Sequence, residues 1–326
     1  MPTGNACSPA RRRSGLDLQR DMMMFRSLYF TVIPRPSRRM TGRVKWKITD
    51  KIGKIMKLIV KFNETSYRLD LARPLDISIP LCFDGVDQLS VFGTPHAGME
   101  PFAAGGFIGS VKQGGSVNCE VYTIIPHCNG THTECVGHIA EKRVAIRDIL
   151  KDALVPATLV TVTPEAPADS DETYDPPLRD EDRIITRRSL EQVLSGANAD
   201  FLQGLIIRTL PNGTDKKSRN YDESQPAFLS REGMEYIAAR GIKHLLVDVP
   251  SVDRLMDEGK LTNHHTFWRV AYGSHDVDPG AASPKTVTEL IYVADSVRDG
   301  PYILNLQIAP FVADASPSRP ILYEVK

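Results

Sequence analysis

Past residue 56, short apolar runs of two different periods follow one another along the chain. Residues 58–62 are a mostly apolar run and residues 67–71 alternate apolar and polar positions, and with Asn63-Glu64-Thr65 between them they predict a β-hairpin. Leu75-Asp76-Ile77-Ser78-Ile79-Pro80-Leu81 repeats with period two, as a half-buried strand does. Residues 107–111 and 117–125 read as strands joined at Gly114-Gly115, the second ending in a polar, histidine-rich run. The period then lengthens. Residues 143–154 are amphipathic and predict a helix, residues 158–163 a β-branched strand, and residues 190–194 part of a helix. Residues 201–210 contain a buried strand. Ser230 caps a helix that runs to Arg240 and is closed by Gly241, and residues 244–249 form the next strand. His244 opens that strand and is assigned a structural role. Strands alternating with helices predict an α/β domain with a mixed central sheet.

Between these elements, Pro164 to Asp182 is acidic and rich in Pro, Asp and Ser, which predicts a surface loop and a candidate lid. Residues 272–285 read as an inserted loop. Gly105, Gly109, Gly114 and Gly115 lack the spacing and the trailing Lys-Ser/Thr of a phosphate cradle, so they are read as turns.

The densest chemistry is Pro126-His127-Cys128-Asn129-Gly130-Thr131-His132-Thr133-Glu134-Cys135-Val136-Gly137-His138, with three His, two Cys and a Glu in thirteen residues. If this run is extended, His132 and Glu134 point to one side and converge. Imidazole with carboxylate suits zinc, manganese or iron, whereas calcium and magnesium take oxygen ligands. Cys128 and Cys135 are too far apart for a zinc knuckle. On residue types alone, a metal site and a set of satisfied core residues are both open.

Asn129-Gly130-Thr131-His132-x-Glu134-x3-His138 resembles the His-x-Gly-Thr-His-x-Asp-x-Pro-x-His signature of the cyclase family of metal-dependent hydrolases, which includes bacterial kynurenine formamidase. Glu134 stands where the family has Asp, and Val136 where it has Pro. The spacing puts the family's first histidine at Cys128, while the nearest imidazole is His127, so either group could serve. Downstream, Pro250-Ser251-Val252-Asp253, then Asn263-His264-His265-Thr266-Phe267-Trp268 and Thr288-Glu289-Leu290, are similar to the family's later segments. The resemblance implies a layered, swivelling β/β/α fold and metal ligands at His127, His132, Glu134, His264 and Glu289, with His265 the alternative to His264. It implies His138 as the acid/base that takes a proton from metal-activated water and returns it to the leaving group. The cofactor expected is a divalent transition metal, Zn2+ or Mn2+, one or two ions, with Glu134 as the bridge between two. Asp248 and Asp253 bracket Pro250 and could orient a ligand histidine from behind. Phe267, Trp268 and Phe102 are candidate pocket walls.

The reading that follows is a metal-dependent hydrolase of a small-molecule amide, formamide or lactone-like bond, of arylformamidase type. The alternatives are a cyclase or dehydratase using the same metal, and a non-catalytic metal-binding scaffold. Related enzymes are dimers or larger, so the resemblance also implies a homo-oligomer.

Composition changes this picture only at the N-terminus. The 326 residues are 41% hydrophobic and 25% charged, enough to bury a substantial core. Formal neutrality conceals an asymmetry, because residues 1–55 carry thirteen Lys or Arg against three Asp. The remainder is acidic in balance, which argues against a nucleic-acid partner. Residues 1–55 are expected to be a basic extension, disordered or translated from a start assigned too far upstream, with residues 56–326 as one hydrolase domain. Their apolar stretch at 28–33 is too short for a membrane span. The five cysteines, irregularly spaced, form no secreted disulfide framework and point to a reducing cytosol.

Overall fold

Three short, wholly buried strands, two of them rich in Leu, Ile and Val, set the centre of the molecule. In the computed structural model, which describes residues 57–326 apart from Asn63 and Val86 together with the strand Lys47–Ile48, every residue of Gly204–Thr209, His244–Val247 and Thr286–Glu289 is buried. Strands apolar on both faces must be covered on both, the usual condition of a parallel sheet. The sheet has nine strands, labelled here in chain order: β1 Leu75–Asp76, β2 His132–Cys135, β3 Leu154–Val162, β4 Gly204–Thr209, β5 His244–Val247, β6 Thr286–Glu289, β7 Gly300–Asn305, β8 Ala315–Pro317 and β9 Ile321–Glu324. Their order across the sheet is β8-β2-β6-β5-β4-β3-β7-β9-β1. The run β3, β4, β5, β6 is parallel and every other pairing is antiparallel, so the sheet is mixed, as the sequence predicts.

Period-two alternation divides the core into two layers. Leu205, Ile207, Leu245, Val247 and Val287 face one side, where they meet Leu190, Leu194, Met234, Ile237 and Phe267 of three helices. Ile206 and Leu246 point the other way, toward Tyr302, Leu304 and Leu322. The helices are α1 Arg187–Leu194, α2 Arg231–Ala239 and α3 Thr262–Trp268. Thr186 caps α1 by accepting from the Ser189 N–H, and Ser230 caps α2 by accepting from the Gly233 N–H. Gly241, with φ +75°, turns the chain out of α2 into β5, as expected from its position after Arg240.

Several local expectations give way to tertiary pairing. Residues 143–154 hold only the helical turn Ile146–Ile149, because Leu154 already begins β3, pairing with Asn305 of β7. Residues 107–111 and 117–125 do not form one hairpin. Phe107–Ile108 pairs with Ala103–Ala104, and Glu120–Thr123 pairs with Gly98–Pro101. The cause is a crossing at Gly109, whose missing Cβ would lie 2.2 Å from the Cys119 carbonyl oxygen. This ribbon leaves Phe102 44% exposed.

The strand of residues 75–81 is hydrogen-bonded as a ladder only at Leu75–Asp76, yet Ile77 and Ile79 are buried in alternation as predicted. Hairpin strands Lys57–Phe62 and Thr65–Asp70 are present, and Lys47–Ile48 adds to them. The other expectations for residues 1–55 lie outside the described residues. The acidic loop after Pro164 is fastened rather than free, since Glu172 accepts from the N–H groups of Arg187 and Arg188 and from the Ser230 hydroxyl. No described helix is long and apolar enough to cross a membrane.

His244 has the structural role the sequence assigns. It is fully buried at the start of β5, with Nδ1 2.8 Å from the Thr286 hydroxyl and Nε2 3.1 Å from Asp152. Burial holds its pKa below the usual value, with the Asp152 bond only partly opposing it. The folded state therefore keeps His244 neutral while the unfolded chain takes a proton below about pH 6.5. Stability from this group is present above that pH and lost below it, by up to about 1.4 kcal/mol per pH unit. The loss of urea resistance between pH 7.5 and 5.5 should be larger in the wild-type protein than in His244→Gln; equal losses would contradict this assignment.

Candidate metal centre

Glu134 lies on β2 between β6 and β8, with no solvent exposure at all. A buried carboxylate needs partners of opposite charge or strong donors, and the fold supplies imidazoles from four directions. His132 is two residues earlier on the same strand and shares its face, as extended geometry requires. His138 follows from the single turn Val136–His138. His127 comes from the helical turn Pro126–Asn129, which begins at a proline suited to a first helical position. His264 arrives from α3. Glu289, at the end of β6, is register partner of His132.

The four rings surround the carboxylate. His127 and His138 have ring centroids 4.3 Å apart, His127 and His132 5.1 Å, and His138 and His264 5.4 Å. Around Glu134 itself, His264 Nε2 is 2.9 Å from Oε1, while His127 Nδ1 and His138 Nδ1 are 3.0 and 3.8 Å from Oε2. Across the centre, His132 Nε2 is 3.4 Å from Glu289 Oε2 and His264 Nε2 is 3.8 Å from Glu289 Oε1. Burial alone would raise the Glu134 pKa, but the charges of His138 and His264 and the His127 bond hold it well below the carboxylate range. His264 is the counterpart. Burial disfavours its proton, yet Glu134 and Asp253 keep its pKa well above the ordinary histidine value.

Three of the imidazoles have the nitrogen away from the centre occupied. His127 Nε2 is 2.8 Å from Asp314, His132 Nδ1 is 3.0 Å from the Gly130 carbonyl, and His264 Nδ1 is 2.5 Å from Asp253 Oδ2. This leaves His127 Nδ1, His132 Nε2 and His264 Nε2 pointing inward. Outer hydrogen bonds of this kind fix the ring and tautomer of metal-binding histidines. Within the centre, His132 Nε2 is buried without a hydrogen-bond partner, although such groups are rarely left orphaned. Two sets of donor atoms cluster closely: His127, Glu134 and His138, and His132, Glu134 and Glu289, each within 4.8 Å of one another. Nitrogen and carboxylate donors in this arrangement suit a divalent transition ion. Glu134 belongs to both sets, so the residues fit one ion or two with a shared carboxylate.

All six residues named from the sequence therefore meet at one place. His127, not Cys128, reaches the centre; Cys128 packs among Ile79, Leu89, Val91 and Leu290, where burial raises its thiol pKa. His264 faces Glu134, whereas His265 turns toward Tyr272 and His275, with centroids 6.0 and 6.5 Å away. Of the proposed pocket walls, Phe267 is sealed in the core and Trp268 lies 5.1 Å from the His264 ring. Asp253 supports His264 as anticipated. Asp248 does not, since it is paired with buried Lys216 and the Thr209 hydroxyl. The residue the sequence did not reveal is Asp314, which touches both His127 and, at 3.6 Å, His138. It sits just before a three-residue strand, with no motif around it. The centre opens to solvent at His127, His138 and Asp314, whose side chains are 24%, 28% and 36% exposed.

Residues 69–254 match the cyclase family model. Kynurenine formamidase from Bacillus cytotoxicus is 30% identical over 145 residues, a stretch that covers 43% of this chain and 60% of that enzyme's length. Kynurenine formamidase from Bacillus anthracis is 26% identical over 218 residues, covering 65% of this chain and 83% of the relative. Among solved structures, isatin hydrolase A from Labrenzia aggregata bound to benzyl benzoate superposes with a TM-score of 0.52 at 14% identity, over 78% of this chain and 94% of the other. A chain described as a predicted metal-dependent hydrolase from Bacillus stearothermophilus gives 0.50 at 17% identity, over 77% and 98%. These structural likenesses establish the fold, in agreement with the α/β expectation.

The His127–Asp314 contact is open to titration. Burial lowers the pKa of His127, but bonds to Asp314 and Glu134 outweigh it and raise the value to about 10. Because the folded value exceeds the unfolded value of about 6.5, the proton stabilises the metal-free fold below that pH. That contribution fades as pH rises toward 10. NMR of the metal-free protein should show the His127 ring still protonated at pH 8, with Asp314→Asn moving its midpoint down. A wild-type midpoint near 6.5 would refute the arrangement.

Proposed function

The chain belongs to the cyclase family, and on that footing we propose that it is a metal-dependent hydrolase of a small-molecule amide, formamide or lactone-like bond, of arylformamidase type. The observation that carries this reading is the close set of donor atoms from His132, Glu134 and Glu289, with His132 Nε2 buried, without a hydrogen-bond partner and turned inward. His127, His132, Glu134, His264 and Glu289 would hold one or two divalent ions, zinc or manganese. A bound ion of this kind polarises a carbonyl and lowers the pKa of water from about 16 to about 7.

The chain's own residues do the rest. Glu289, which accepts from the Val252 N–H, and the inward nitrogens of His127, His132 and His264 present donors already oriented from behind. His138 is the group suited to move protons, because it borders the centre, is partly exposed, and lies near two carboxylate oxygens of Glu134 and Asp314. In this role it accepts a proton from the attacking water and delivers it to the leaving nitrogen or oxygen. Such transfer contributes about 100- to 10,000-fold in rate. The open face at His127, His138 and Asp314 is where substrate approaches. The kynurenine formamidase relatives favour hydrolysis at a C–N bond over a cyclase or dehydratase reaction at the same centre.

Elemental analysis and a substrate panel test the reading together. The full chain should carry one or two equivalents of zinc or manganese, lost in His132→Ala and in Glu289→Ala. Loading should release protons, since His127 and His264 must give theirs up to bind metal. With aryl formamides and lactones as substrates, His138→Ala should lose at least about 100-fold in kcat with metal content unchanged. A protein that takes up no metal, even with zinc or manganese added, sinks the hydrolase reading. Retained metal without turnover, unaffected by His138→Ala, would favour a binding scaffold.

A further inference from the structure

The acidic loop after Pro164 sends the Tyr174 side chain into the interior. Tyr174 is 6% exposed, and its hydroxyl lies 2.7 Å from Asp253 Oδ1. The other oxygen of Asp253 is the one bonded to His264 Nδ1, and His264 Nε2 reaches Glu134. Tyr174, Asp253, His264 and Glu134 thus form an unbroken line from the loop to the centre. The Tyr174 hydroxyl accepts from the Arg254 N–H at 3.2 Å, which leaves its proton for a carboxylate. Asp253 Oδ1, at 2.7 Å, is the nearer acceptor; Asp257 Oδ2 is at 3.4 Å.

The phenol ring is itself held in place. Phe228 packs edge-on at 4.8 Å and the Arg254 guanidinium sits 5.2 Å from the ring centroid. Arg254 in turn grips the carbonyls of Pro176 and Pro177 and the carboxylate of Asp182. An aspartate can rotate about its last torsion, and either oxygen could face the imidazole. Two donors hold Oδ1, the Tyr174 hydroxyl and the Asn263 N–H, each at 2.7 Å, and together they leave Oδ2 for His264 and set the plane in which the ring is held.

From this geometry we infer that Tyr174 is a positioning residue for His264, acting through Asp253, and that the loop is part of the metal centre rather than a lid over it. The inference rests on the proposed reading of His264 as a metal ligand. Partners one step removed from a ligand are worth about 10- to 100-fold in metal affinity. Tyr174→Phe removes the hydroxyl while keeping the ring that Phe228 and Arg254 hold. Thr173→Val provides the control. It deletes the neighbouring hydroxyl bond to Glu232, which fastens the same loop to α2 without touching Asp253.

The experiment titrates cobalt(II) into the chelator-stripped full chain, following the visible absorption and competing with a chromophoric chelator. Tyr174→Phe should bind cobalt about tenfold more weakly and with an altered visible band, while Thr173→Val matches wild type. Wild-type affinity and spectrum in Tyr174→Phe would overturn the inference, as would equal weakening in both variants, which would point to loop stability alone. Wild-type protein that binds no cobalt, or His264→Ala that binds it as tightly as wild type, would instead overturn the reading of the centre on which the inference rests.

Discussion

A carboxylate with no access to water dominates this structure. Glu134 is buried in the middle of an antiparallel pairing, and leaving its charge uncompensated there would cost several kcal/mol. Each segment that converges on it contributes part of the compensation. Two of them, residues 126–138 and residues 262–289, are more than a hundred positions apart. Their meeting is enforced by the β2–β6 ladder, which places Val287 opposite Glu134 and Glu289 opposite His132. A Thr133–Thr288 hydroxyl contact of 2.8 Å lies in the same register. A slip of one residue would turn Glu134 and His132 to the other face together. The register therefore carries the chemistry as well as the packing.

The charge balance extends beyond the inward-facing atoms. Asp253 and Asp314 lie behind His264 and His127, so each of these imidazoles stands between two carboxylates. In the metal-free protein, protons on these rings offset the acidic groups. A divalent ion would replace those protons with its own charge and turn the same rings into ligands. Proton and metal would then be alternative occupants of one electrostatic well, whose depth the acidic groups behind the rings would determine. Four carboxylates in so small a volume would repel one another strongly without either occupant. That is a physical reason for the unusual crowding of histidines.

The sequence revealed the centre better than it revealed the path of the backbone. His132 and Glu134 could be paired because period two is a property of extended chain, and His264 and Glu289 because their neighbours resembled a known pattern. The capping of α2 by Ser230 and its end at Gly241 were legible because those signals are local. Residues 143–154 were not, since their helical period is real but the sheet competes for Leu154 and prevails. The ribbon of residues 98–123 was misjoined because its pairing is decided at Gly109, where two carbonyl paths cross, and no periodicity records such a crossing. Asp314 was invisible for a similar reason. A lone aspartate in a loop acquires meaning only when β8 carries it alongside His127.

The choice between His127 and Cys128 shows how local geometry resolves what spacing leaves open. On a helical turn successive side chains diverge by about 100°, so adjacent residues cannot both face one point. The turn Pro126–Asn129 directs His127 to Glu134 and sends Cys128 into the apolar cluster around Ile79 and Leu290. The ring of His127 bridges Glu134 and Asp314, with one carboxylate on each nitrogen. Cysteine at that position would have one sulfur and no second atom to offer Asp314. A glutamate in place of the family's aspartate extends the carboxylate by one methylene, and an imidazole displaced by one residue stands ready to meet it. The two departures are complementary, because a shorter side chain at position 134 would retreat from the very nitrogen that the displaced histidine presents.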